Sequence, residues 1–145
     1  DCVEASAFMM MTPALVYYRV KGLIQDSEGN VQCKNRIIAK ISRPEVAKSF
    51  LSPPPKRIVA GLLSEGKISQ EQAELAEKIA MSFDLCVESD SAGHTDQGIS
   101  TVLFPSILSL KEEIQEEYQY NQTIHIGLAG GIGTPHAAVA ATALG

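Results

Sequence analysis

Residues 124–144, IHIGLAGGIGTPHAAVAATAL, constrain this chain more than any other stretch, because they read as a strand, a glycine turn and a helix in immediate succession. Ile124, Ile126 and Leu128 alternate as in a short strand. Gly130, Gly131 and Gly133 then let the backbone turn sharply and approach a ligand closely. Thr134 is a good N-cap and Pro135 a good first helical residue, so a helix is expected to start there. Its alanine-rich body has high helix propensity and is expected to pack closely on a sheet. The free N–H groups and the dipole at such a start favour an anion, most often a phosphate.

The common phosphate motifs do not fit. No Lys follows the glycines, as a P-loop requires. A Rossmann fingerprint built on Gly131 and Gly133 needs a small residue where His136 stands. A barrel-type phosphate loop at the C-terminal end of a strand remains. A glycine-rich turn that binds nothing is the alternative.

The rest of the chain repeats the strand-then-helix rhythm. Cys2–Phe8 reads as a strand followed by the bend Met9-Met10-Met11, and Thr12-Pro13 opens a helix through Ala14, Leu15 and Tyr18. Val20–Ile41 changes to extended runs around Asp26-Ser27-Glu28-Gly29-Asn30, which suggests an inserted hairpin. Arg36–Ile41 reads as a buried strand and Pro44–Phe50 as a helix. Pro53-Pro54-Pro55 breaks the chain. Helices are expected over about 56–64 and 69–81, the second opened by a Ser69/Gln72 capping box. Asp84–Glu88 reads as a strand, and Leu103–Tyr118 as a helix whose Glu112, Glu113, Glu116 and Glu117 face solvent.

Four strands spaced by tens of residues, each leading into helix, point to a parallel α/β arrangement. A complete (β/α)8 TIM barrel takes about 250 residues, so 145 residues amount to about half of one, with insertions at about 20–35 and 52–81. Both ends look cut: Asp1–Ala5 resembles the inside of a strand, and Gly145 falls where another strand is expected. A segment of a larger protein is anticipated.

Composition narrows the function classes. The chain is 45% hydrophobic, enough for one globular core, and its formal net charge of −5 without a basic cluster argues against nucleic acid. No apolar run has membrane-spanning length. Cys2, Cys33 and Cys86 lack Cys-x-x-Cys spacing and read as reduced thiols of a cytoplasmic protein.

Chemistry-bearing residues concentrate in Glu88-Ser89-Asp90-Ser91-Ala92-Gly93-His94-Thr95-Asp96. Small residues before His94 let a flat ligand approach, and an imidazole suits acid–base work near neutral pH. The same segment allows a divalent metal on Glu88, Asp90, His94 and Asp96, although strong metal spacing is lacking. His94 as a plain loop-closing residue is the third reading. His125 and His136 read as structural. Lys40 ends an apolar strand and either enters a polar cavity or snorkels to the rim.

Together these segments resemble a known family. Glu4–Phe8, Met11–Val16, Ala39–Ala47, Glu88–Asp96 and Ala129–Pro135 are similar to the trans-acting enoyl reductases of polyketide and polyunsaturated fatty acid synthases. That family is related to the nitronate monooxygenases, all FMN-binding TIM barrels. The resemblance implies FMN, with its phosphate held by Ala129, Gly130 and Gly131, and Lys40, Glu88, Ala92 and Gly93 beside the flavin. It implies His94 as the catalytic residue, Asp90 and Ser91 on the substrate side, NAD(P)H as electron source, and no metal. The implied partners are a carrier-protein-bound enoyl thioester and other synthase components. Two departures stand out: Ala92 replaces a usual glycine beside the flavin, and Ala80 replaces an expected proline, which predicts a looser turn before Met81. A nitronate monooxygenase-like oxidase, a non-catalytic synthase module and a metal-dependent hydrolase are the rivals.

Overall fold

The Thr-Pro pairs act as helix starts. In the computed structural model, which describes residues 1–6, 11–90, 93 and 96–145, Thr12 caps α1 (Pro13–Lys21) by accepting from the Leu15 N–H at 3.2 Å. Thr134 caps α6 (Pro135–Ala143) in the same way, through Ala137. The preceding strand β1 covers Cys2–Ala5. The strand ends at Ala5 and leaves out Ser6, shorter than expected, while Ala7, Phe8, Met9 and Met10 lie outside the described residues.

The hairpin insertion forms as β2 (Leu23–Gln25) and β3 (Val31–Cys33), an antiparallel pair apart from the main sheet. It starts later than expected because Val20 and Lys21 complete α1. Asp26 organises the turn by accepting the Glu28 and Asn30 N–H groups at 2.9 and 2.8 Å.

Strand β4 (Arg36–Ile41) and helix α2 (Pro44–Leu51) follow. After the proline break come α3 (Lys56–Ser64) and α4 (Gln70–Ala76), the latter opened by the reciprocal Ser69/Gln72 box. Helix α4 stops five residues short of Met81. The N–H groups of Glu77 and Lys78 bond three residues back, tightening the end, and the chain then turns inward.

Strand β5 (Asp84–Glu88) leads by a loop to α5 (Ser100–Tyr118), and β6 (His125–Ala129) precedes α6. Helix α5 starts three residues earlier than expected, and Pro105 removes one N–H donor in its second turn without ending it. The four acidic residues on α5 are exposed.

The main sheet has the order β1-β4-β5-β6, every neighbouring pair parallel. This is the α/β arrangement that the rhythm predicts. Side chains alternate across it. Ile37, Ala39, Ile41, Leu85 and Val87 point into the core with Phe50 and Leu51 of α2 and Phe104, Ile107 and Ile114 of α5. Each of these side chains larger than Ala39 contributes roughly 1.5–3 kcal/mol through burial. The opposite face carries Glu4, Arg36, Ile38, Lys40, Asp84, Cys86, Glu88, His125 and Gly127. It is the polar face, on which the central Ile38 is 39% exposed.

Two corrections concern packing. Helix α6 has no buried residue, and its Val139 is 70% exposed, so it does not bed on the sheet as expected. The turn before Met81 is held firmly despite Ala80. Buried Arg19 donates to the Ala80 carbonyl from Nε and a terminal nitrogen at 3.2 and 3.0 Å, and to the Asn35 carbonyl at 3.1 Å. Its guanidinium also lies 5.7 Å from the Phe83 ring centre. Burial lowers the Arg19 pKa from its ordinary value.

Candidate functional site

Lys40, Glu88 and Ala129 sit at the C-terminal ends of three neighbouring parallel strands. Strand alternation puts Lys40 and Glu88 on the polar face, where Lys40 Nζ lies 3.0 Å from Glu88 Oε1. Glu4 on β1 approaches the same ammonium at 3.4 Å. Glu88 is 2% exposed, so its charge is compensated where water cannot reach it. The hydrogen bond and charge of Glu88 raise the Lys40 pKa above its ordinary value. Lys40 therefore enters a polar cluster and does not simply snorkel outward. Next to it, burial and the Glu88 charge raise the pKa of the half-buried Cys86 thiol.

The chain leaving β5 is tied to its neighbours. Ser89 donates to the Ala129 carbonyl from both N–H and Oγ, at 2.9 and 3.2 Å. Asp90 adopts a left-handed φ of 47°. Its N–H reaches the Gly98 carbonyl at 2.9 Å, and its Oδ2 accepts from Ser100 Oγ at 3.0 Å. Asp96 Oδ2 accepts from Ser42 Oγ at 2.6 Å and pairs with Arg43 Nε at 3.3 Å.

The glycine loop after β6 uses positive φ at Gly130 (98°) and Gly131 (72°). Gly133, expected to turn likewise, does not, and a Cβ there meets open space. A Cβ on Gly131 would stand 3.1 Å from Asp90 Oδ2. The loop leads into the N-terminus of α6, whose dipole favours an anion such as a phosphate. The Asp90 carboxylate borders the glycine loop, so this residue stands where the segment after β5 meets the loop after β6.

The structure thus brings Lys40 and Glu88 into contact, pairs Glu88 with Ala129 in register, and sets Asp90 against Gly131. Gly93 is exposed, with open space about it. Ser91, Ala92 and His94 lie outside the described residues. His125, read as structural, holds Asp84 Oδ1 at 3.2 Å at the opposite ends of the strands, where Arg36 also meets Asp84 at 2.7 Å. Among the described residues no group of three or more His, Cys, Asp or Glu side chains could hold a metal ion. Among them, too, no helix is long and apolar enough to cross a membrane.

Sequence reasoning missed Glu4, Ser42, Arg43 and Ser100. Glu4 shares a face with Lys40 only because β1 pairs with β4, a neighbour relation that local pattern does not give. Ser42 and Arg43 carry no local signal, because Asp96 lies 54 residues away from Ser42.

Comparison with known proteins sharpens the picture. No family model matches the chain. It is 55% identical over 143 residues to the polyketide biosynthesis protein PksE of Bacillus subtilis (strain 168), covering 99% of this chain and 19% of that protein. It is 43% identical over 145 residues to one component polypeptide of the polyunsaturated fatty acid synthase of Thraustochytrium sp. (strain ATCC 26185 / S-3), covering 10% of it. Among solved structures, the enoyl reductase domain of MlnA, from the macrolactin biosynthesis cluster of Bacillus amyloliquefaciens, superposes with a TM-score of 0.91 at 42% identity. That match covers 99% of this chain and 32% of that one. The chain therefore spans a fifth or less of these two curated relatives and about a third of the solved domain. The fold is a parallel α/β segment similar to part of an enoyl reductase domain. The proteins it is similar to are thus ones of polyketide and polyunsaturated fatty acid synthesis and an enoyl reductase domain, as the sequence resemblance implies.

Proposed function

We propose that this chain contributes to an FMN-dependent enoyl reductase that reduces a carrier-protein-bound enoyl thioester with NAD(P)H during polyketide or polyunsaturated fatty acid synthesis. One observation carries the reading. In a chain 42% identical to an enoyl reductase domain, the Lys40–Glu88 pair and the positive-φ Gly130–Gly131 loop stand together at the C-terminal ends of adjacent parallel strands. That end is where (β/α)8 enzymes carry their chemistry. On this reading β1, β4, β5 and β6 are consecutive staves of such a barrel.

When bound, FMN supplies the two-electron hydride chemistry, with the nicotinamide as electron source. Ala129, Gly130 and Gly131, in the turn that leads into α6, would hold its phosphate through backbone N–H groups. Lys40, Glu88, Ala92 and Gly93 border the flavin. The Lys40 ammonium, kept protonated by Glu88, fixes positive charge where electron density accumulates. His94 holds or delivers a proton to the reduced thioester, and Asp90 and Ser91 shape the substrate side.

The test is a visible absorption spectrum of the purified full-length protein, before and after anaerobic NADPH and then an enoyl thioester. Flavin bands that bleach with NADPH and return with the thioester are expected. A colourless protein that takes up no added FMN refutes the reading.

A further inference from the structure

The segment from Glu88 to Asp96 is fastened at both ends to the same short stretch of β4 and its exit. At its start Glu88 meets Lys40; at its end Asp96 meets Ser42 and Arg43. The second fastening has the stronger geometry. Ser42 is 4% exposed, and its hydroxyl reaches Asp96 Oδ2 at 2.6 Å, a distance typical of a hydroxyl on an ionised carboxylate. The same oxygen takes Arg43 Nε at 3.3 Å. Glu45 lies 3.7 Å from another Arg43 nitrogen, in an exposed pair that competes weakly. An independent contact closes the base of the loop, where the Asp90 N–H reaches the Gly98 carbonyl at 2.9 Å.

We propose that Asp96 is a positioning residue: through Ser42 and Arg43 it locks the exit of the 88–96 segment to the strand that carries Lys40, fixing the substrate-side groups of that segment relative to the Lys40–Glu88 pair. The proposal rests on the enoyl reductase reading, in which that segment carries His94. It assigns Asp96 no contact with substrate or cofactor. Its Oδ2 is engaged by both Ser42 and Arg43.

The experiment uses the full-length protein, its Asp96→Asn, Ser42→Ala and Ser42→Thr variants, and the Asp96→Asn/Ser42→Ala double variant. Flavin content, the rate of flavin reduction by NADPH, and the rate of flavin reoxidation by an enoyl thioester are measured separately. Asp96→Asn and Ser42→Ala are expected to keep flavin content and NADPH-driven reduction while slowing the thioester step by about 10- to 100-fold, the scale of a small misplacement of reacting groups. Ser42→Thr, which keeps the hydroxyl, should recover most of the loss. The double variant should be no slower than the worse single one, because the two residues act as a unit. An active parent whose Asp96→Asn variant matches it in both half-reactions overturns the positioning role alone. Equal losses in both half-reactions and in flavin content also overturn it, marking general damage. A parent that reduces no enoyl thioester overturns the enoyl reductase reading and this proposal with it.

Discussion

Lys40 Nζ lies 3.0 Å from Glu88 Oε1 across two adjacent parallel strands, and a second carboxylate, Glu4, waits 3.4 Å from the same nitrogen. Removing the cation leaves the buried Glu88 without it, so Lys40→Met should destabilise the protein more than Lys40→Arg. Adding Glu88→Gln should return part of the loss, because the paired deletion leaves no buried charge. The Lys40 pKa is raised in the fold, so its contribution is fully present below the ordinary lysine value of about 10.4. It fades as pH climbs through the raised value. Urea midpoints for parent and Lys40→Met between pH 8 and 11 should therefore differ by a constant amount at first and converge at the alkaline end. A difference that shrinks toward neutral pH would contradict the pairing.

The two glycines at 131 and 133 should respond in opposite ways. Gly131 combines a φ of +72° with only 3.1 Å between a Cβ and Asp90 Oδ2. Gly131→Val should cost about 1–3 kcal/mol from backbone strain alone and abolish FMN uptake. Gly133→Ala, in open space and without positive φ, should be close to neutral. FMN titration of the two full-length variants, with urea unfolding beside it, checks both; tight flavin binding by Gly131→Val would remove the phosphate assignment.

Arg19 makes three hydrogen bonds to two carbonyls 61 and 16 residues away. Arg19→Met keeps much of the apolar stem but strands the Ala80 and Asn35 carbonyls. A loss of about 2–4 kcal/mol in equilibrium unfolding is expected, the range for orphaned buried acceptors of a charged donor. Arg19→Lys should recover little, since one ammonium cannot reproduce the planar fork. Full stability of either variant would show that these bonds do not hold the turn before β5.

His94→Ala in the full-length protein should keep flavin bound and slow thioester reduction by about 10²–10⁴-fold, the usual range for a general acid–base group. The NADPH half-reaction should be spared. Unchanged turnover of the thioester would take the proton-transfer role away from His94.

Much of the scaffold was legible locally. Strands β4 and β5 and helix α3 fall on the bounds the sequence predicts, and the Thr12, Thr134 and Ser69 caps form as read. Errors arose where tertiary contacts overrode local pattern. Helix α4 stops at Ala76, and Ile79, Ala80 and Met81 beyond it are drawn into the core. At the site, Lys40, Glu88 and the Gly130–Gly131 loop could be named from residue type and placement, but not the partners that hold them.

The division has a physical cause. Caps, proline breaks, strand alternation and glycine turns act over a few residues, so the chain itself determined most of its elements, its parallel α/β class and the loops that collect polar and glycine residues. Strand register and the packing of loops on strand ends act over tens of residues. Only the tertiary structure decided that Glu4 joins Lys40, that Arg19 is buried on the Ala80 carbonyl, and that Asp96 closes onto Ser42.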